Sequence, residues 1–240
     1  MDISNHVSLS ALLALEKRLT TVAHNVANAS TAGFRAEELR FESLIPDQEV
    51  GTAYASTGQT YLSRASGPIQ PTGNSLDIAV KGDYWLAIQT PEGTAYTRDG
   101  RLKIETDGSL KTVSGYPILD VGGGELQVNP GGGPLKIAAD GMITQGGRQL
   151  GAVGLFKIPD SANLRRFESS GVIPDAPAEP IVTFSDGGIL QGHVEGANVN
   201  SVMEIMNLIK ITRAFESINA SINANIDSQK KAIRAIGSNG

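Results

Sequence analysis

The run from Ser201 to Ile236 contains neither proline nor glycine, so nothing in it prevents a single long helix. Its residues Ile205, Leu208, Thr212, Phe215, Asn219, Ile222, Ile226 and Ile233 recur at spacings of mostly three and four, the seam that keeps one narrow stripe facing a partner. Ser201 with Glu204 three residues later reads as a capping box that fixes the start, and Gly237 as the terminator. Such a helix is about 50 Å long at 1.5 Å per residue. The other end of the chain carries a matching pattern in Leu12, Leu15, Leu19, Val22 and Val26. That helix closes with Asn25, Asn28 and Ser30-Thr31-Ala32-Gly33-Phe34. Gly33 is expected at the left-handed position just past the helix, with Phe34 packing back on the last turn.

Between these ends the period changes. Leu76, Ile78 and Val80 alternate with other residues, and Tyr84-Trp85-Leu86-Ala87-Ile88-Gln89 forms an apolar strand. Asp99-Gly100, Asp107-Gly108 and Asp140-Gly141 are hairpin dipeptides, because glycine tolerates the positive φ of tight turns. Leu155-Phe156-Lys157-Ile158 reads as a buried strand, and Asp186-Gly187-Gly188 closes the region. Short strands with turns every eight to twelve residues mark an antiparallel β module. The expected fold is therefore α+β: long N- and C-terminal helices paired in a coiled-coil-like layer, with a β-rich, hairpin-type central domain. The expected division is 1–35 with 197–240 as a discontinuous helical domain, 36–75 as an extended arm in which Pro46 stops any helix, and 76–196 as the β domain. Five or six buried side chains cannot offset the ordering of some twenty-five helical residues, so the helices are expected to gain order on assembly. The β module is expected to fold without Met1–Phe34.

Composition excludes several functions. At 240 residues the chain can bury a core without disulfides or metals. A net charge of −5 argues against nucleic acid, and no apolar run is long enough to span a membrane. Glu16-Lys17-Arg18 interrupts any signal-peptide core. The absence of cysteine suits a cytosolic chain with no use for thiols, or an extracytoplasmic one that avoids stray disulfides.

Catalytic signals are weak. Gly122-Gly123-Gly124 and Gly131-Gly132-Gly133 lack the Lys-Ser/Thr and the following helix of a phosphate loop, so they read as surface loops. His6, His24 and His193 are too far apart in sequence for metal-ligand spacing. No Gly-x-Ser-x-Gly elbow occurs. Asp83 and Asp99 could sit within one β module, but such a carboxylate pair is weak evidence of glycosidase chemistry. The hairpin-rich middle alone supports a reading from another class, a secreted carbohydrate-binding protein or hydrolase that would lose its function on changing Trp85 or Asp99. The expectation is a non-enzyme with no cofactor or metal.

The segment Asn25-Val26-Ala27-Asn28-Ala29-Ser30-Thr31-Ala32-Gly33-Phe34 resembles the N-terminal signature of flagellar rod and hook proteins, with His24 where a first Asn is usual. Gly196-Ala197-Asn198-Val199-Asn200, followed by Glu204, Ile205, Arg213, Phe215 and Glu216, is similar to their C-terminal signature, with Ala197 in place of Ser. Leu76–Trp85 and Tyr96-Thr97-Arg98-Asp99-Gly100 resemble the family's central β motif. The segments 171–175 and 191–196 look most like a proximal-rod member, with distal rod as the runner-up. The resemblance implies a structural subunit of the flagellar basal body, periplasmic, and exported by the flagellar type III apparatus without cleavage. It implies self-assembly into a hollow tube that carries torque from motor to hook, with copies of itself and adjacent rod proteins as partners. Identical subunits joined head to tail by a non-closing rotation give such a tube. The interface is then expected at Leu12, Leu15, Leu19, Val22, Asn25, Val26, Asn28, Gly33 and Phe34, and at Asn198, Val199, Glu204, Ile205, Leu208, Arg213, Phe215, Ile222 and Ile226.

Overall fold

The computed structural model describes residues 2–40, 43–44, 54–55, 59–183 and 187–237. Pro46 and Asp186, expected as a helix stop and a turn, lie outside them. Two helices, α1 (Asp2–Ala27) and α2 (Ser201–Gly237), flank a series of short strands. The chain divides into two compact units. One holds both helices with the described part of Glu37–Thr60, and the other holds Asn28–Ala36 and Tyr61–Val199.

In the helical unit α2 is one unbroken helix of 37 residues. Its start falls where the sequence places it, but the cap is Asn200. The Asn200 side chain accepts the Met203 amide at 3.2 Å, and its carbonyl accepts the Glu204 amide at 2.9 Å. The α+β class holds, whereas the coiled-coil-like layer of long paired helices does not. A coiled coil buries its seam, yet Ile205 and Ile226 are 45% and 41% exposed and Thr212 is exposed as well. Ile211 alone is buried among the described side chains of α2. The half-buried stripe runs through Leu208, Phe215, Ile218 and Ile222 around it, one residue out of phase with the expected seam at two positions. The cause is sequence composition: α2 carries apolar residues on more than one side, so spacing alone does not select the inward stripe.

The β unit is built around a six-stranded antiparallel sheet. Its order is Leu164–Phe167, Gly171–Pro174, Gly93–Thr97, Trp85–Thr90, Leu155–Lys157, Glu179–Pro180. The central strand Trp85–Thr90 is buried on both faces. Leu86 and Ile88 enter one core with Ile78, Val80, Ala95, Leu110, Ile118 and Leu155, while Trp85 and Ala87 enter a second with Tyr96, Phe156 and Val172. Successive side chains of a strand point to opposite faces, so this one strand serves both cores. Smaller antiparallel sheets surround it, among them Ile78–Lys81 with Gly188–Gln191, Ile69–Pro71 with His193–Glu195, Leu102–Ile104 with Leu110–Thr112, and the three strands Leu135–Ile137, Met142–Gln145 and Arg148–Ala152.

Two of the three Asp-Gly dipeptides expected as hairpins form them. Gly108 and Gly141 take φ of 85° and 86° between paired strands, and the preceding aspartates accept the amides of Ser109 and Met142. Asp99-Gly100 does not. Asp99 grips Arg101 through two bonds at 2.9 and 2.7 Å, and Gly100 lies so close to the Ile78 carbonyl that a Cβ would collide with it. The loop Gly131–Gly133 is pinned by Gln145, whose amide donates to the Asn129 and Gly133 carbonyls and accepts the Asn129 amide.

Candidate functional site

Both helices leave apolar side chains uncovered. On α1, Leu9 and Leu13 are 55% and 46% exposed, and on α2 Val202, Met203, Ile205, Met206 and Ile209 lie between 45% and 66%. Large apolar side chains concentrated on two turns of one helix are what an interaction surface looks like. Of the seam residues expected on α1, Val22 is buried and Leu12, Leu15, Leu19 and Val26 are half-buried. On α2, Leu208, Phe215, Ile222 and Glu204 are half-buried, while Ile205, Ile226 and Arg213 are exposed.

Asn25 has a definite task in the helical unit. Its side chain donates to the Glu37 carbonyl and accepts the Glu37 amide, both at 2.9 Å, as a neighbouring strand would. His24 adds an Nδ1 contact to the Glu37 carboxylate at 3.5 Å.

The remaining signature residues belong to the β unit. α1 stops at Ala27, so Gly33, with φ of 67°, lies well beyond its cap. A Cβ there would collide with the Asp99 backbone nitrogen, and only glycine permits this approach. Phe34 is fully buried, with the Arg166 guanidinium 4.4 Å from its ring, and the same guanidinium donates to the Arg35 carbonyl at 2.6 Å. Asn28 begins the turn that leads here: its carbonyl accepts the Thr31 amide at 2.9 Å. Asn198 brackets the segment from the other chain end. Its side chain accepts the Ala36 amide at 2.6 Å and donates to the Ala65 carbonyl at 2.8 Å, while its own amide reaches the Phe34 carbonyl. Val199 beside it is half-buried.

Beneath this joint lies an ionic cluster. Glu195 is 0% exposed and Arg35 and Arg98 are each 1% exposed. The Glu195 carboxylate takes Arg35 at 2.8 Å and the Gly67 amide at 2.9 Å on one oxygen, and Arg98 at 3.0 Å on the other. Arg35 also donates to the Ala65 carbonyl, and Arg98 to the carbonyls of Val80 and Gly82. Trp85, the chain's single tryptophan, has the two guanidinium carbons 5.2 and 5.3 Å from its ring, within reach of cation–π attraction. Arg35 Nε and Nη2, Arg98 Nε and Trp85 Nε1 are buried without a hydrogen-bond partner. Burial pushes Arg98 down to about 10 against the pull of Glu195, and lowers Arg35 for the same reason.

Sequence reading did not single out Arg35, Arg98 or Glu195 as a set. An arginine beside Phe34 and a motif arginine 97 residues before Glu195 carry no local sign that they meet one carboxylate. The carbohydrate reading loses its residues here: Trp85 is 1% exposed and offers no stacking face, and Asp99 is engaged with Arg101.

The comparisons fall on the same segments. The family described as "Flagella basal body rod protein" matches residues 6–35, "Flagellar hook protein FlgE/F/G D1 domain" matches 79–145, and "Flagellar basal body rod FlgEFG protein C-terminal" matches 190–235. The flagellar basal-body rod protein FlgF of Mesorhizobium japonicum is 44% identical, with 99% of each chain covered. The chain belongs to the flagellar basal-body rod protein family. FlgF of Rhizobium meliloti is 43% identical over 99% of both chains, and FlgG of Buchnera aphidicola subsp. Schizaphis graminum is 30% identical over 90% of this chain and 93% of its own. In this rod-family chain each matched segment supplies one member of the ionic cluster: Arg35, Arg98 and Glu195.

Proposed function

We infer that the chain is a structural subunit of the bacterial flagellar basal-body rod. The observation that carries this is the full-length match to FlgF proteins at 43–44% identity. The finer reading places it in the proximal rod, in the periplasm. There it polymerises with copies of itself and with neighbouring rod proteins into a hollow tube that transmits torque. In this reading the chain does no catalysis, and it reaches its place through the flagellar export apparatus without a cleaved signal.

The uncovered residues Leu9 and Leu13 on α1 and Val202, Ile205, Met206 and Ile209 on α2 support assembly through helix faces. A soluble monomer gains nothing from a cluster of exposed Ile, Val and Met on consecutive turns. Asn25, Asn28, Gly33, Phe34, Asn198 and Val199 then contribute indirectly, by fixing backbone next to the helices. The test is Ile205→Asp with Ile209→Asp in a strain that carries the chain as its only copy. Purified variant should melt as the parent does, because exposed substitutions cost within about 0.5 kcal/mol. It should nevertheless be missing from isolated basal bodies, and the cells should not swim. Normal swimming with the variant present in basal bodies would refute assembly through this face. Absence of the unmodified chain from basal bodies would refute the rod assignment.

A further inference from the structure

Glu195 occupies an unusual position. Its side chain binds two arginines and the Gly67 amide, and its own carbonyl accepts the Gly33 amide at 2.8 Å. One residue thus ties together the stretch that continues into α1, the stretch that continues into α2, and the strand pair beside the Trp85 core. Backbone fit reinforces the tie, since a Cβ on Gly67 would collide with the Gly196 carbonyl and one on Gly33 with the Asp99 nitrogen.

The cluster is poorly suited to stabilisation. Two guanidinium charges face one carboxylate in full burial, and three guanidinium nitrogens make no hydrogen bond. Buried ion triads of this kind can often be replaced by apolar side chains without loss of stability, because desolvation consumes the Coulombic gain. What apolar side chains do not reproduce is direction. A carboxylate that must satisfy Arg35 and Gly67 on one oxygen and Arg98 on the other admits a single placement.

We propose that Glu195 is a positioning residue for assembly: with Arg35 and Arg98 it fixes the two segments, Asn28–Ala36 and 195–199, through which the chain enters its terminal helices. The proposal rests on the rod assignment for its assembly half. Its local half, the fixing of the segments, stands on the monomer alone.

The experiment uses the full-length chain with Glu195→Gln, and with the apolar triple Arg35→Met, Arg98→Met and Glu195→Leu. Hydrogen exchange is followed at the Gly33, Ala36 and Asn198 amides, which bond across the joint, and at Leu119, which bonds to Ala87 in the β unit. The triple variant should keep a cooperative melt and parental exchange at Leu119. At the three joint amides exchange should rise about a hundredfold in Glu195→Gln, the scale of a broken buried pair, and it should also rise in the triple. Recovery of the triple in basal bodies should fall about tenfold or more, while Arg98→Lys alone, which keeps the charge, should show only part of both effects. Parental exchange at the joint amides in the triple variant would overturn the proposal. So would normal basal-body recovery despite loosened segments, or loss of the cooperative melt in the triple, which would make the cluster a plain stabiliser. If the unmodified chain is itself absent from basal bodies, the rod assignment fails, and the exchange comparison still decides the local half.

Discussion

Two truncations separate the helical unit from the joint. A chain beginning at Asn28 loses α1 but keeps every residue of the β unit, whereas a chain beginning at Glu37 also loses Phe34 and Arg35. Removing a buried phenylalanine costs about 3–5 kcal/mol. Removing one partner of a buried ion pair costs another 3–5 kcal/mol or so. Phe34 and Arg35 are adjacent and share Arg166, so the two losses overlap, and a combined cost on the order of 6 kcal/mol is reasonable. Domains have about 5–15 kcal/mol in total, and a unit of this size shifts by roughly 2–4 °C per kcal/mol. The second truncation should therefore melt roughly 12–24 °C below the first, or have no transition at all. Circular dichroism at a β-sheet wavelength against temperature reads this directly. Coincident melts within about 2 °C would show that Phe34 and Arg35 do not hold the β unit, and the reasoning from their burial would fall.

Two further outcomes follow from local geometry. Gly33→Ala combines left-handed strain of roughly 1–2 kcal/mol with backbone crowding worth about 1–3 kcal/mol. Gly115→Ala, at φ of 95° with nothing within 4 Å of a Cβ, carries the strain alone. Urea unfolding should rank Gly33→Ala as the more destabilised by at least about 1 kcal/mol, and equal midpoints would refute the close approach. The Tyr96 phenol is raised by burial, and the Tyr116 phenol by its 2.5 Å bond to Glu168. A raised phenol favours the neutral form in the folded state. Its stabilisation is present below the ordinary value near 10 and is lost as pH rises through the folded value. Absorbance titration should show both ionising late, with Glu168→Gln bringing Tyr116 back and leaving Tyr96; an unmoved Tyr116 would contradict the bond.

The central strands were legible because their signals are local. Leu86 and Ile88 alternate with Trp85 and Ala87, and Asp107-Gly108 and Asp140-Gly141 supply the turn chemistry their hairpins use. Both helices were legible from the long periodic runs at the ends. The inward stripe of α2 was not, because Ile211 and Ile218 compete with Ile205 and Ile226 for the same role and only tertiary contact decides. The place of Phe34 was hidden for a related reason. Phe34 follows a helix closely enough to read as its cap, while its burial depends on Arg166 far along the chain. Asp99-Gly100 misled because an aspartate that can start a turn can also chelate an arginine two residues on.

The bond from Ala36 to Asn198 joins positions 162 apart. Closing a loop of that length carries a large entropic charge before any contact rewards it, and topologies dominated by such distant pairings fold slowly. The β unit therefore cannot be sealed until residue 198 has left the ribosome, and even then closure is a late event. Until then the Ala36 amide lacks its Asn198 acceptor, and Arg35 and Arg98 lack the Glu195 carboxylate. A chain whose seal joins its two ends in this way is expected to close more slowly than a helical bundle of equal length.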